Sequence, residues 1–126
     1  MPTDAELAIL QVLWTQGPST VRAVHEQLDR AESTGYTTVL KLLQIMLEKD
    51  LVTRDESQRA HVYTAAVDES VTQRRLVDDL LERAFGGSAQ TLVMRALSAD
   101  RVSADELDEI RALLDQLEAE ETNDDE

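Results

Sequence analysis

Near the middle of the chain, a helical pattern of apolar residues gives way to two short β-rich runs, LVTRD (51–55) and AHVYT (60–64). The polar tetrad 56–59 separates the runs, so they are predicted to pair as an antiparallel hairpin. The tetrad contains neither Asn-Gly nor Asp-Gly, so the turn type and the register of the strands stay open. The architecture to which this hairpin belongs is decided by the segments before it.

Three segments before the hairpin have the periodicity of amphipathic helices. The first follows the capping box Thr3-Asp4-Ala5-Glu6 and ends at Gly17-Pro18. Ser19 is predicted to cap the second helix, from about 20 to 28, and the third runs from about 36 to 50. The apolar residues predicted to face inward are Leu7, Leu10, Leu13, Trp14, Val21, Val24, Leu28, Val39, Leu40, Leu42, Leu43, Met46 and Leu47, with Ile9 and Val12 flanking the first stripe. Three short helices followed by a hairpin predict a winged helix-turn-helix over residues 1–67.

The remaining residues, 68–126, predict three more helices. The first begins near Asp68 or Ser70 and is ended by Gly86-Gly87. Ser88 begins a short second helix, and the capping box Ser103-Ala104-Asp105-Glu106 begins the third. The expected fold is therefore mainly α with a small β-hairpin, and a domain boundary is expected between residues 67 and 68.

These last three helices belong to a segment of fewer than sixty residues, which is too short to bury three apolar stripes by itself. A second copy of the chain can cover the stripes, and a two-fold homodimer does so with the same surface on each subunit. The residues predicted to lie at the dimer interface are Leu76, Leu80, Leu81, Phe85, Leu92, Val93, Leu97, Ile110, Leu113, Leu114 and Leu117. The alternative is a monomer in which the three helices fold back on residues 1–67.

Acidic residues are concentrated in the second half of the chain. The 126 residues have a formal net charge of -14; residues 1–67 contain six Lys/Arg and nine Asp/Glu, whereas residues 68–126 contain six and seventeen. The tail, 118–126, has six carboxylates and no basic residue, so we expect it to fray. Binding to nucleic acid depends on the field near the phosphates and not on the total charge, so residues 1–67 remain candidates for it.

The composition also narrows the class of protein. No apolar run approaches the ~20 residues that span a bilayer, and the N-terminus has no export signal, so a cytoplasmic location without membrane insertion is expected. With no cysteine and two histidines that are far apart, His25 and His61, the chain is predicted to hold no metal and no cofactor. It has no Gly-rich phosphate loop and no nucleophile paired with histidine, so we do not expect an enzyme.

The third helix has a narrow strip of mostly polar residues opposite its broad apolar face. Wound at about 100° per residue, GYTTVLKLLQIML (35–47) brings together Thr37, Thr38, Lys41, Gln44 and Ile45. In a helix-turn-helix the second helix of the pair enters the major groove of DNA, where such groups read base edges. The strip is therefore predicted to read DNA, with the solvated face of an ordinary amphipathic helix as the alternative.

Three further residues are placed to contact the DNA backbone beside that strip. Tyr36 precedes it and can offer its hydroxyl to a phosphate. Arg22 lies in the first turn of the preceding helix, which crosses the phosphates in such domains, and Arg59 lies at the wing tip, which approaches the backbone or the minor groove. Their alignment with the strip strengthens the prediction of DNA binding.

Segments in both halves of the chain resemble one family of bacterial transcription regulators. TDAELAILQVLW, PSTVRAVHEQL, GYTTVLKLLQIMLEKDLV and HVYTAAV, followed by LLERAFGGSAQTLVMRAL and DELDEIRALLDQL, resemble the penicillinase-repressor (BlaI/MecI) family. The resemblance covers nearly the whole chain, and the combination of YTTVL, LVTRD and FGGS is its most specific part.

This resemblance implies a homodimeric winged-helix repressor that binds a palindromic operator on double-stranded DNA. In many members a membrane-bound metalloprotease sensor triggers cleavage of the repressor, which by this match would fall near Arg95-Ala96. The sequence departs from the best-known members at three places: they carry Asn-Phe at the cleaved bond, a glycine in place of Asp50, and often an arginine in place of Ile45. The rival to this function is an acidic winged-helix module that binds proteins and not DNA. A repressor controlled by a small molecule is a third possibility, for which the sequence identifies no pocket.

Overall fold

The computed structural model describes residues 1–32, 34–98 and 100–124. The helices in these ranges are α1 (Asp4–Gln16), α2 (Val21–Glu32), α3 (Tyr36–Glu48), α4 (Glu69–Ala84), α5 (Ala89–Ser98) and α6 (Ala104–Asp124). The strands are β1 (Ser19–Thr20), β2 (Val52–Asp55) and β3 (Val62–Ala65). The predicted fold, mainly α with a small hairpin and an N-terminal winged helix-turn-helix, is confirmed.

The chain divides into two compact units, Met1–Asp78 and Asp79–Glu126. This division falls inside α4, eleven residues beyond the domain boundary expected after residue 67. The assignment of residues 1–67 to DNA binding and of residues 68–126 to dimerisation stays a prediction.

The sheet of the first unit has three strands, one more than the sequence predicts. β3 lies between β1 and β2, and both pairings are antiparallel. In β1, Ser19 pairs with Tyr63 and Thr20 with Val62; in the hairpin, the last pair before the tip is Asp55 with Val62. A strand of two residues is too short to show any alternation in sequence, which is why β1 was not predicted.

The predicted cap of α2 was wrong by one residue. The hydroxyl of Thr20 accepts a hydrogen bond from the backbone amide of Ala23 (3.1 Å), whereas the hydroxyl of Ser19 donates to the carbonyl of Gly17 (2.9 Å). Because Ser19 is paired in the sheet, the chain turns into the helix one residue later. Thr20 therefore joins β1 to α2 and satisfies an amide that the helix leaves free.

The core of the first unit lies between α1, α2, α3 and the sheet. Its buried side chains are Ile9, Leu10, Leu13, Val21, Val24, Leu28, Val39, Leu43, Met46, Val52 and Tyr63. On α1 the buried stripe is shifted from the prediction: Ile9, expected at the flank, is fully buried, whereas Leu7 and Trp14 are half-buried. The fourth buried residue on that helix is Glu6, at the i, i+3, i+4, i+7 spacing of a core-facing stripe.

Glu6 is buried as one half of an ion pair. Its carboxylate accepts a hydrogen bond from the backbone amide of Thr3 (2.8 Å) in the predicted capping box, and another from the ammonium of Lys49 (3.0 Å). Burial alone raises the pKa of Glu6, but the Thr3 amide and then the Lys49 ammonium outweigh that effect and hold the pKa below its ordinary value. The pair joins the start of α1 to the end of α3.

The turn after α3 has a left-handed backbone at Asp50, where the family resembled by the sequence has a glycine. Asp50 has a φ of 62°, and the amide of Leu51 donates to the carbonyl of Met46 (2.9 Å). Aspartate tolerates this conformation better than most residues, so the chain reverses there without a glycine.

The second unit contains the end of α4 with α5 and α6. Gly86 and Gly87 have positive φ angles, 55° and 82°, and end α4 as predicted; Ser88 caps α5, and Ser103 with Glu106 forms the predicted capping box of α6. The predicted fraying of the tail was wrong through Asp124, where α6 ends, and residues 125–126 lie outside the described part of the chain. Once α6 is nucleated, each added residue gains a hydrogen bond, and its Leu, Ala and Glu residues have high helix propensity.

In the ranges that the structure describes, no helix is both long enough and apolar enough to cross a membrane.

Candidate nucleic-acid interface

One side of α3 is exposed along the length of the helix. Thr37, Thr38, Lys41 and Gln44 are all exposed, whereas Val39, Leu43 and Met46, on the opposite side, are fully buried. Ile45 is half-buried, so only part of its side chain reaches the surface. The buried side chains fix the rotation of α3 and thereby hold the polar strip outward.

The electrostatics of this surface favour an anion at its N-terminal end. The first turn of α3 contains no acidic residue, and the only carboxylate on the helix is Glu48, at its last position. The free backbone amides at the start of a helix carry partial positive charge. Thr37 and Thr38 lie at that end, with Lys41 one turn further along.

A surface cleft of about 300 Å³ adjoins the strip and brings the three flanking residues together. It is lined by Thr20, Val21, Arg22, Tyr36, Leu40, Arg59, Ala60, His61 and Tyr63. Two arginines, a histidine and two tyrosines therefore line one depression that is open to solvent. A basic cleft beside an exposed helix is suited to a phosphate group.

The side chain of Arg22 is held only by a weak, exposed ion pair. Its guanidinium lies 3.4 Å from the carboxylate of Glu26, and both side chains are largely exposed. An exposed pair one helical turn apart is worth little free energy, so Arg22 can exchange this partner for another anion.

Tyr36 is positioned by an aromatic contact. Its ring meets the ring of His25 edge to face, with centroids 5.9 Å apart and planes at 79°, and its side chain remains about half exposed. His25 therefore supports Tyr36 from α2, a role that the sequence did not reveal because the two residues are eleven positions apart.

His61 is the residue of the cleft that the sequence analysis missed. It is exposed and lies two positions after Arg59, immediately before the second wing strand, β3. That proximity to Arg59 was the only available signal, since β1, which completes the cleft, was not predicted.

Arg54, by contrast, belongs to the structure of the wing. Hydrogen bonds to the Tyr63 side chain and to the Glu56 carboxylate raise the pKa of Arg54 above its ordinary value. The backbone amide and hydroxyl of Ser57 lower the pKa of Asp55, whose carboxylate accepts from that amide at 2.9 Å. These contacts shape the start of the wing tip, and they leave Arg59 as the exposed cation of that loop.

The residues predicted at a dimer interface fall into two groups. Those that are half-buried within one chain are Leu76, Leu81, Phe85, Leu92, Leu97 and Ile110. Those that are exposed are Leu80, Val93, Leu113, Leu114 and Leu117, with 38% to 53% of each residue accessible. The sequence analysis omitted three more exposed apolar residues, Val71, Val77 and Met94.

The bond predicted to be cleaved, Arg95-Ala96, lies inside α5. Both residues are exposed, and α5 contains no buried residue.

Comparison with known proteins places this geometry in a family. The sequence matches the profile described as penicillinase repressor over residues 2–116. The chain is 36% identical over 118 residues to the transcriptional regulator BlaI of Mycobacterium tuberculosis, covering 92% of this chain and 84% of that protein. It is 25% identical over 114 residues to the penicillinase repressor of Bacillus licheniformis, covering 90% and 89%.

Solved structures share the fold of just over half of the chain. The solution structure of Bacillus licheniformis BlaI in monomeric form, in complex with the blaP half-operator, is similar with a TM-score of 0.50 and 26% identity, over 56% of this chain and 85% of that one. The DNA-binding domain of the repressor BlaI gives a TM-score of 0.51 over the same shares. The chain belongs to the penicillinase repressor family, whose members are DNA-binding transcriptional repressors and not enzymes.

Proposed function

We propose that this protein is a homodimeric repressor that binds a palindromic operator, with the α3 helix of each protomer in the major groove. The observation that carries the proposal is the division of α3 into two sides. Val39, Leu43 and Met46 are fully buried, and the strip that includes Lys41 and Gln44 is exposed along its length. A helix anchored in this way presents its polar groups to an external ligand of matching width.

In this proposal the residues of the strip contact different chemical groups on the DNA. Lys41 donates to guanine or to a phosphate, Gln44 offers a bidentate amide to adenine, and the accessible part of Ile45 contacts a thymine methyl. Thr37 and Thr38 bond a phosphate or a base edge at the positive end of the helix. A good bidentate base contact contributes ~1 to 3 kcal/mol of discrimination between sequences.

The cleft beside the strip supplies the backbone contacts. Arg22, Tyr36 and Arg59 converge there, and His61 lines the same cleft. A phosphate held in the cleft fixes the register of α3 on the duplex. If six phosphates are neutralised by one dimer, the logarithm of affinity falls with the logarithm of salt concentration at a slope of about -5.

Dimerisation follows from the apolar side chains that one chain leaves exposed. Leu113, Leu114 and Leu117 on α6 are each about half accessible, as is Val93 on α5. Exposed large apolar side chains in such numbers favour protein–protein contact, and a two-fold dimer covers them with the same surface on each subunit. Two α3 helices then meet half-sites about one helical turn of DNA, ~10 base pairs, apart or a multiple of that.

The relatives support this proposal, and they suggest how repression ends. The Bacillus licheniformis BlaI structure contains a half-operator, in keeping with one half-site for each protomer. A repressor of bacterial genes acts in the cytoplasm, where the DNA is. Induction through a membrane-bound metalloprotease sensor would require cleavage within α5, near the exposed pair Arg95-Ala96. In this chain, Arg95-Ala96 stands where the best-known members have Asn-Phe.

The test is footprinting and gel retardation on the DNA upstream of the gene that encodes this chain. The wild-type protein is expected to protect a palindromic site, and Lys41→Ala combined with Gln44→Ala is expected to lose that protection while the fold is kept. Gln11→Ala is the matched control, because it removes an exposed amide from α1 and leaves α3 unchanged. A double variant that protects the same site as the wild type would refute base reading by α3. A wild-type protein that retards no DNA would favour the rival function, an acidic module that binds proteins.

A further inference from the structure

The three residues that join the wing to α4 are all tied down. The amide of Ala66 donates to the carbonyl of Leu51 (2.9 Å), and the carbonyl of Val67 accepts a hydrogen bond from the indole of Trp14 (3.0 Å). Asp68 caps α4, because its carboxylate accepts from the backbone amide of Val71 (3.1 Å). Because the connection has three residues and each of them is hydrogen-bonded, α4 has little freedom to move relative to β3.

Trp14 provides the bond in this junction that spans the longest stretch of sequence. Its donor and acceptor are 53 positions apart, and both Trp14 and Val67 pack against the hydrophobic core. The indole therefore attaches the start of α4 to α1, which contributes Ile9, Leu10 and Leu13 to the core of the first unit. A half-buried indole N–H also needs this partner, since an unsatisfied donor is costly.

The first turn of α4 is fixed as firmly as the residues before it. Thr72 is buried, and its hydroxyl donates to the carbonyl of Asp68 (2.7 Å). The Ser70 hydroxyl and then the Val71 amide lower the pKa of Asp68, so this cap is ionised at neutral pH. Between Asp68 and Asp78 the helix is thus part of the first unit, and the chain passes into the second unit at Asp79 within the same helix.

We infer that Trp14 is a positioning residue that fixes the direction in which α4 leaves the DNA-binding unit and thereby sets the half-site spacing that the dimer accepts. The inference rests on the proposed dimeric function. Once one protomer has bound its half-site, binding of the second protomer to the other half-site is intramolecular. The affinity gained from this second contact depends on how narrowly the distance between the two α3 helices is held at the spacing of the operator. A loosened junction broadens the distribution of distances between the two α3 helices and so reduces the affinity gained from the second half-site. Each α3 helix keeps its own contacts with DNA.

The variant that isolates this role is Trp14→Phe, which keeps an aromatic ring in the core and removes the N–H donor. Val12→Ala is the matched control, because Val12 lies on α1, packs against the same core and makes no contact with the junction through a polar atom. Asp68→Ala tests the same junction from its exposed side, so the inference remains testable if Trp14→Phe does not fold.

The first experiment compares duplexes that contain one or two half-sites of the footprinted operator. Trp14→Phe is expected to bind the single half-site within about twofold of the wild type and to lose about tenfold on the paired half-sites. It is also expected to tolerate spacings lengthened or shortened by one base pair better than the wild type does. A variant with the wild-type preference and the wild-type spacing would overturn the inference. A wild-type protein that binds one and two half-sites equally would instead refute the dimeric function.

The second experiment measures the junction without DNA. The chain contains no cysteine, so spin labels can be placed at Gln11→Cys on α1 and Gln73→Cys on α4, both exposed and both in the first unit. The labelled chain is diluted in unlabelled chain, and double electron–electron resonance measures the distance between the two spin labels. A narrow distance distribution is expected in the otherwise wild-type chain and in Val12→Ala. Trp14→Phe and Asp68→Ala are expected to broaden it. Equal widths in all four proteins would show that Trp14 does not hold α4.

Discussion

Replacing Lys49 by methionine removes the cation of the buried ion pair and keeps a side chain of similar length. The Lys49 ammonium lies 3.0 Å from the Glu6 carboxylate; the Glu6 side chain is 2% exposed, and that of Lys49 is 48% exposed. Methionine retains the apolar stem that lies on the protein surface. The change therefore tests the charge of Lys49 with little change in packing.

The expected loss follows from the unequal exposure of the two partners. Removing one partner of a fully buried pair costs about 3–5 kcal/mol, whereas an exposed pair contributes about 0–1 kcal/mol. Glu6 keeps its hydrogen bond from the Thr3 amide, and Lys49 is half exposed. We therefore expect the free energy of unfolding of Lys49→Met to fall by about 2 kcal/mol at neutral pH.

The same pair predicts how this difference depends on pH. In the wild type the pKa of Glu6 is below its ordinary value of 4.5, so its stabilising contribution is present above that pH and is lost as the pH falls through the folded pKa. Without Lys49, the effect of burial is opposed only by the backbone and side-chain hydrogen bonds with Thr3, and the pKa of Glu6 is higher than in the wild type. The stability difference between the two proteins should therefore close as the pH falls through the interval between the two pKa values.

Urea unfolding followed by the fluorescence of Trp14, the only tryptophan, measures both quantities at fixed chain concentration. The series runs from about pH 7 to about pH 3.5. Lys41→Met is the control, because it makes the same chemical change on the exposed side of α3. A loss below about 0.5 kcal/mol, or a difference that does not change with pH, would show that Lys49 does not stabilise an ionised Glu6.

Three further predictions concern the interface, α5 and the cap of α2. Leu113→Asp is expected to give a folded monomer in sedimentation equilibrium, because Leu113 is 53% exposed in one chain and burying a leucine contributes ~1.5–3 kcal/mol per site. Gln116→Asp on the same helix is the control and should stay dimeric. A dimeric Leu113→Asp would contradict the proposed interface. Brief trypsin digestion followed by mass spectrometry is expected to cut after Arg95 before it cuts within α6, because α5 has ten residues and α6 has twenty-one, and a shorter helix opens more readily; an earlier cut in α6 would contradict this order. Thr20→Ala should lower the free energy of unfolding by ~1 kcal/mol in urea titrations, and unchanged stability would show that Thr20 is not the cap.

Local signals in the sequence predicted most of the secondary structure. The capping boxes at Thr3 and Ser103 and the glycine pair 86–87 each involve residues within one helical turn of one another. Interactions between residues so close in sequence can be predicted from the sequence alone. The exposed side of α3 was also predictable, because periodicity alone separates Lys41 from the buried face.

The features that were missed depend on residues distant in sequence. Strand β1 exists because Ser19 and Thr20 meet Tyr63 and Val62, and the basic cleft depends on that strand. Glu6 was not assigned to the core because a carboxylate is excluded from an apolar stripe, and its partner lies 43 positions away. The frayed tail was wrong because charge was given more weight than helix propensity. Tertiary contacts and cooperativity, which a pattern of apolar residues does not contain, account for these differences.

The wing tip, residues 56–61, begins where the sheet ends. Its neighbours Asp55 and Val62 form the last pair of the hairpin, so insertions and exchanges among these six positions leave the ladder intact. Evolution can therefore lengthen this loop or change its charge while the scaffold and α3, the proposed reading helix, are preserved. Paralogues of this repressor would then diverge in the flanking DNA they tolerate sooner than in the core sequence they recognise.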